Sequence, residues 1–268
     1  MMTRLLKLSI SIIFFTFQKI CIAASRLVGK KPLPSLVIVT YHPVRAGDAG
    51  RFEKQMDALL EAGAPVSLNH NLDTLKEGIN IAVTFDDAYQ SVLLNAVPVL
   101  RRKNIPATIF VPTGYMGKRP AWITKPDHPY AAETVMTEQQ LKTLPDHLIT
   151  IGSHSVSHIN LNKADMMTAR KEIHDSRSHL ETILNKKVNL FAAPFATLNE
   201  SFLPLFVEAQ YERVFLNIPT FPATKTDLYF LGRTSIEPTD WPMEYRLKMK
   251  GAYQWLPLAI GLKKKILA

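Results

Sequence analysis

Two histidines four residues apart, His154 and His158, and two adjacent carboxylates, Asp86 and Asp87, are the residues of this chain best equipped for chemistry. If the 154–158 segment makes a helical turn, both imidazoles point the same way. Two neutral imidazoles plus one carboxylate make a three-ligand site for a divalent ion, with positions left open for water and substrate. Successive residues at a strand end point in different directions. One aspartate can therefore bind the ion while its neighbour stays free to accept a proton. An ion that acidifies water, beside a free carboxylate, is equipment for hydrolysis. The same donors suit a non-haem Fe(II) oxygenase, but such enzymes sit on a β-sandwich and this chain does not read as one. Taken singly, each pair reads more simply as turn aspartates or surface histidines. Their positions along the chain reverse that reading.

Those positions are set by an alternation of strands and helices. Residues 35–40 (SLVIVT), 79–85 (INIAVTF), 107–111 (ATIFV), 148–152 (LITIG) and 188–193 (VNLFAA) read as strands buried on both faces. Between them, residues 52–62 carry Phe52, Met56, Leu59 and Leu60 on one helical face, and residues 91–103 and 164–184 are also helical in pattern. Thr137 followed by Gln140 has the spacing of a capping box. This order predicts an α/β parallel sheet, open or closed into a barrel. Four strands then run into chemically capable groups: Tyr41-His42-Pro43, Asp86-Asp87, the His154 to His158 segment, and Pro194-Phe195. The C-terminal edge of such a sheet is where sites form.

Composition excludes several classes. The 268 residues are 47% hydrophobic and 21% charged, with 11 Gly and 18 Pro scattered and no internal repeat, so collagen-like, low-complexity and solenoid readings fall away. One cysteine, Cys21, excludes an intramolecular disulfide framework and a Cys-rich zinc site. No phosphate-cradling glycine loop or nucleophile elbow is present. The net charge of +9 is dispersed rather than interleaved with aromatics, so nucleic acid is not an expected partner.

The two ends read differently from the body. Arg4 and Lys7 lead into an apolar run of eleven residues, 8–18, which covers only about half a hydrocarbon core. Residues 1–31 are thus expected to be a signal peptide, with small residues at Ala23, Ala24 and Ser25, or an uncleaved amphipathic anchor. In the second case Arg4, Lys7, Ser11 and Gln18 share one face, and Arg26, Lys30 and Lys31 meet anionic headgroups. Residues 246–268 form a basic, apolar tail in which Trp255, Leu256, Leu258, Ile260 and Leu262 run into Lys263, Lys264 and Lys265; it reads as membrane-interfacial or as a docked terminal helix. Residues 32–245 are the expected catalytic domain. An anionic membrane surface and a membrane or cell-envelope location follow as expectations.

Residues 81–117 (IAVTFDDAYQSVLLNAVPVLRRKNIPATIFVPTGYMG) and 149–161 (ITIGSHSVSHINL) resemble the first two motifs of the polysaccharide deacetylases, the NodB-homology domains of carbohydrate esterase family 4. The likeness continues through Trp122 and residues 136–141 (MTEQQL) and covers roughly residues 35–241. It implies a distorted (β/α) barrel with fewer than eight strands, one zinc-type divalent ion, and hydrolysis of an N-acetyl group on an amino sugar. Asp86 matches the family's catalytic base, and Asp87, His154 and His158 its metal ligands. Pro194-Phe195 matches the third motif, where the N–H after the proline, here that of Phe195, contributes to the oxyanion hole.

The departures from the pattern are informative. Ala88 replaces the usual Gly, and Phe191 stands where an Arg normally pairs with the base; Phe-x-x-Pro also occurs in a subset related to poly-N-acetylglucosamine deacetylases. The fifth motif supplies a histidine as general acid, yet all eight histidines here precede Phe191. His42 is the candidate substitute, and Arg233 a candidate for orienting Asp86 or binding an anionic substrate. Trp122 and Pro194 complete the expected substrate-binding set. The expected partner is an acetylated amino-sugar glycan or a lipid-linked sugar. The alternatives are a deformylase of a polyprenol-linked amino sugar and a catalytically silent metal- or carbohydrate-binding protein.

Overall fold

In the computed structural model, which describes residues 3–29, 34–69, 71–72, 75–196, 200–219 and 229–257, nine strands make one parallel sheet. They are β1 (Ser35–Tyr41), β2 (Ala64–Pro65), β3 (Ile79–Phe85), β4 (Ala107–Val111), β5 (Ile149–Ser153), β6 (Leu190–Ala192), β7 (Arg213–Leu216), β8 (Phe230–Gly232) and β9 (Thr234–Ser235). The order is β8-β7-β6-β5-β4-β3-β1-β9, with β2 pairing β3 beside this path. The two strands at opposite ends of the order, β8 and β9, are consecutive in the chain and separated by one residue, Arg233. The sheet thus curls into a distorted barrel whose seam is crossed by the chain itself.

The barrel class is the expected one, but its strand count is higher than expected. The strands without a sequence signal are two to four residues long, too short for hydrophobic periodicity to register.

Alternation along each strand divides two cores. Leu36, Ile38, Ala82, Phe110, Leu190, Ala192, Phe215 and Leu231 face inward and fill the barrel. Their neighbours Val37, Val39, Tyr41, Ile81, Val83, Phe85 and Ile109 face the surrounding helices. Gly152 pairs with Phe110, and a Cβ there would lie 2.5 Å from the Phe110 ring, so the interior tolerates no side chain at that point.

The helices are α1 (Arg4–Leu27), α2 (Ala49–Ala62), α3 (Val97–Lys103), α4 (Glu138–Lys142), α5 (Met166–Leu184), α6 (Leu203–Glu208) and α7 (Pro242–Met249). Thr137 and Gln140 form the expected capping box at the start of α4, with N–H to side-chain distances of 3.2 and 2.8 Å. The helix expected over residues 91–103 is broken in two: residues 92–96 form a wider π turn before α3. Pro98 lacks the N–H that would continue the α pattern there.

At the N-terminus the apolar run of eleven residues lies inside a helix of 24, because Lys19 does not end it. Among the described residues this is the one helix long and apolar enough to cross a membrane. The C-terminal boundary expected at residue 245 falls inside α7. The lysines at 30, 31 and 263–265, and Leu258, Ile260 and Leu262, lie outside the described residues.

Candidate active site

Asp86 directly follows β3 and continues its inward alternation after Ala82 and Thr84, which carries its carboxylate to the mouth of the barrel. It is 1% exposed and meets the fully buried Arg233 in a two-pronged pair, Nη1 to Oδ1 at 2.7 Å and Nη2 to Oδ2 at 2.8 Å. The Arg233 Nη1 group also donates to the hydroxyls of Thr40, at 3.3 Å, and Thr84, at 3.2 Å. Burial by itself would raise the Asp86 carboxyl. The charge of Arg233 and its hydrogen bonds more than offset it and hold Asp86 well below the ordinary carboxylate range. The pairing arginine missing from position 191 is therefore supplied 42 residues later in sequence, at the barrel seam. This corrects the substrate-binding expectation for Arg233: with no exposed surface and its fork occupied, it cannot reach a ligand. Pro194 is likewise buried and does not line the cavity.

Asp87 leaves the strand alternation. It and Ala88 both have left-handed backbone, with φ of 64° and 46°. The Ala in place of Gly thus occupies a position where a Cβ is sterically costly, and the fully buried surroundings hold it there. The turn brings the Asp87 carboxylate against the two histidines, with Oδ1 3.2 Å from His158 Nε2 and 3.6 Å from His154 Nε2.

His154 Nδ1 lies 2.7 Å from the Ala192 carbonyl, which only accepts, so Nδ1 carries the proton and Nε2 presents its lone pair to Asp87. Burial pushes the His154 pKa down to about 4, so the ring is neutral near pH 7. Asp87 Oδ1 is buried without a hydrogen-bond donor. Ligand atoms of Asp87, His154 and His158 lie within 4.8 Å of one another. An orphaned carboxylate oxygen beside a neutral imidazole lone pair is the donor arrangement a divalent cation satisfies.

The two histidines converge for a different reason from the one expected. Residues 154–158 form no helical turn; Ser155 and His158 have φ of 65° and 53°. The Glu172 carboxylate on α5 holds this loop, accepting the N–H groups of Val156 at 2.8 Å and Ser157 at 2.7 Å. The Ser155 hydroxyl accepts the His158 N–H at 3.0 Å. Trp122 stacks on the His158 ring at 4.0 Å between centroids, so one of its faces is a wall of the ligand site rather than a free sugar platform.

These groups line a cavity of about 450 Å³ together with His42, Tyr89, Lys125, His128, Tyr130, Phe195 and Asn217. His42 stacks against Tyr130 at 6.0 Å, and its Nδ1 is buried without a partner. Tyr130 is tied across the mouth by its hydroxyl, which donates to Glu237 at 2.9 Å. Phe195 is half exposed, touches the His158 ring edge-on, and has left-handed backbone with φ of 59°. Sequence reading missed Asn217, whose amide lies 3.4 Å from Asp86, and Tyr130. His128 is exposed and stands on the cavity rim.

A family model described as polysaccharide deacetylase matches residues 75–214, more than half of the chain. The chain is 26% identical over 214 residues to YxkH of Bacillus subtilis, a polysaccharide deacetylase by name, covering 76% of this chain and 72% of that one. It is 27% identical over 134 residues to the poly-beta-1,6-N-acetyl-D-glucosamine N-deacetylase of Staphylococcus aureus, covering 48% of this chain and 45% of the relative. Among solved structures, the Streptococcus pyogenes deacetylase PplD in complex with acetate superimposes with a TM-score of 0.66 at 20% identity, covering 81% of this chain and 99% of that one. IcaB from Ammonifex degensii gives 0.65 at 22% identity, covering 80% and 97%. These last two likenesses concern the fold.

Proposed function

The chain belongs to the polysaccharide deacetylase family, and from that premise and the site's geometry we propose that it removes an N-acetyl group from an amino sugar of a surface polysaccharide, with a divalent ion held by Asp87, His154 and His158. The family's enzymes are hydrolases of linear amides, and this chain is one of them. The observation that carries the finer reading is the Arg233–Asp86 pair set beside the Asp87, His154 and His158 donors in one cavity. It also supplies one of the two groups, an arginine for the base and a downstream histidine, whose absence supports the reading of a silent scaffold.

Asp86 accepts a proton from the attacking water, Arg233 fixes the orientation of its carboxylate, and His154 offers only its Nε2 lone pair. A carboxylate held this far below its usual range is a weak base. It accepts a proton only from a water whose acidity has been raised, which, together with polarisation of the amide carbonyl, is the chemistry a divalent ion, zinc by this donor set, supplies when bound. The Phe195 N–H stabilises the developing oxyanion. As the carbon–nitrogen bond breaks, the amine takes a proton from His42, which lines the cavity and is not one of the metal ligands. The products are acetate and a free amino sugar. A β-1,6-linked N-acetylglucosamine polymer, by analogy with the Staphylococcus aureus relative, is the first substrate to offer. The N-terminal helix and the net charge of +9 support a place at the cell envelope.

Purified full-length protein should carry about one equivalent of divalent ion by elemental mass spectrometry, and His154→Ala/His158→Ala should carry none. Acetate release from the polymer should follow the metal. No bound ion after zinc is added back, or acetate release independent of it, would end the metal assignment. Replacing His42 by Gln should lower kcat for acetate release by about 10²-fold while leaving the bound ion in place. A folded, metal-loaded variant that keeps activity within about threefold of the wild type would exclude His42 as the proton donor.

A further inference from the structure

Helix α1 is amphipathic in the reverse sense of a surface helix in water. Its four cations, Arg4, Lys7, Lys19 and Arg26, all lie on the half of the helix turned toward the domain or on its margins, and it contains no acidic residue. The Arg4 guanidinium pairs with Glu244 of α7 at 2.6 Å and Asp240 at 3.6 Å, and stacks over Trp241 at 4.3 Å. The fully buried Ser11 hydroxyl accepts the indole N–H of Trp255 at 2.9 Å. Leu8, Ile12 and Phe15 pack on Leu247, Ala252 and Tyr253. The opposite half carries Leu6, Ile13, Phe17, Ile20, Ala24 and Leu27, with Ile13 70% and Phe17 62% exposed. The hydroxyls of Ser9 and Thr16 at the edge of this stripe bond back to helix carbonyls, at 3.1 and 2.9 Å, and so present no free donor.

A docked helix in water turns its apolar stripe inward and its charges outward. This one docks Leu8, Ile12 and Phe15 but carries a second, uncharged apolar stripe facing away from the domain along its length, about 36 Å at 1.5 Å per residue. We propose that α1 stays on the mature protein as a docked helix whose uncharged outer stripe lies in the plane of a lipid bilayer, fixing the catalytic domain on the membrane. Docking from Arg4 to Phe15 prevents the helix from leaving the domain to cross the bilayer. It also supplies the acceptor of the Trp255 indole N–H and one of the two cations that Glu244 meets, the other being Lys248 of α7. The occupant follows from charge. The stripe meets the hydrocarbon, while Lys7, Lys19 and Arg26 at its margins stand at headgroup depth, where anionic lipid completes them. The proposal keeps the expected headgroup role of Arg26 but docks Arg4 and Ser11 of the expected polar face on the domain. It rests on the envelope location proposed above.

The test is flotation of the full chain with phosphatidylcholine–phosphatidylglycerol vesicles, wild type beside Ile13→Gln/Phe17→Gln/Ile20→Gln. All three side chains are exposed, so the variant should melt with the wild type and release acetate from soluble polymer at the same rate. Its vesicle partitioning should fall by at least about tenfold. Equal flotation of variant and wild type, or none by either, would overturn the proposal. So would an intact mass from cells lacking α1, or a wild-type dimer that the variant abolishes without any vesicle binding. Cell fractionation separates the two readings. Envelope recovery with unchanged variant flotation defeats the face assignment alone, and cytosolic recovery defeats the location.

Discussion

Asp86→Asn should lower kcat for acetate release by about 10³-fold or more while leaving one equivalent of divalent ion bound. The amide preserves the volume and the Oδ1 contact of the carboxylate but has no basic lone pair to take a proton from water. Asp87, His154 and His158, the proposed ligands of the ion, are untouched, and the His154 tautomer is set by the Ala192 carbonyl rather than by Asp86. The substitution also leaves the Arg233 guanidinium buried without its counter-charge. Thermal unfolding must therefore be read beside the kinetics, so that lost turnover is scored only on folded protein. The assignment of Asp86 as base fails if the folded, metal-loaded variant keeps activity within tenfold of the wild type.

The contrast between Asp86 and its ionic partner shows what a sequence can and cannot reveal. Asp86 and Asp87 stand at the end of a seven-residue apolar run, so their place on the C-terminal edge is legible from periodicity alone. His154 and His158 are legible as a pair, but not their geometry. The loop that joins them depends on two left-handed residues and on Glu172, which comes from the next helix. Arg233 is legible only as one of two roles, orienting Asp86 or binding an anionic substrate, because it is a single residue between strands of three and two residues, 147 positions from Asp86. Its position is a consequence of barrel closure, a global property with no local signature. Tyr130 and Asn217 are missed for the same reason: each reaches the cavity from a segment without periodicity.

The seam residue also sets the largest effect expected on stability. Arg233→Met removes one member of a fully buried ion pair and keeps most of the side-chain volume, so the cost is that of a stranded carboxylate, about 3–5 kcal/mol. The pH dependence of that cost identifies its origin. In the wild type Asp86 titrates below its unfolded value of about 3.9. Its contribution to stability is therefore fully present above that value and is lost as pH falls through the depressed folded pKa. Without Arg233, burial becomes the ruling influence and raises the carboxyl above its unfolded value. The penalty is then greatest at neutral pH and is relieved as the group protonates on acidification. Urea unfolding of metal-free protein should show a difference between wild type and Arg233→Met that shrinks between pH 7 and pH 5. A second change offers an independent check. Asp86→Asn/Arg233→Met should regain much of the lost stability, because no unpaired charge remains in the barrel, while staying inactive. A cost that is the same at both pH values, or a double variant no more stable than Arg233→Met, would mean that Arg233 supports the seam by packing. The charge it places on Asp86 would then contribute little.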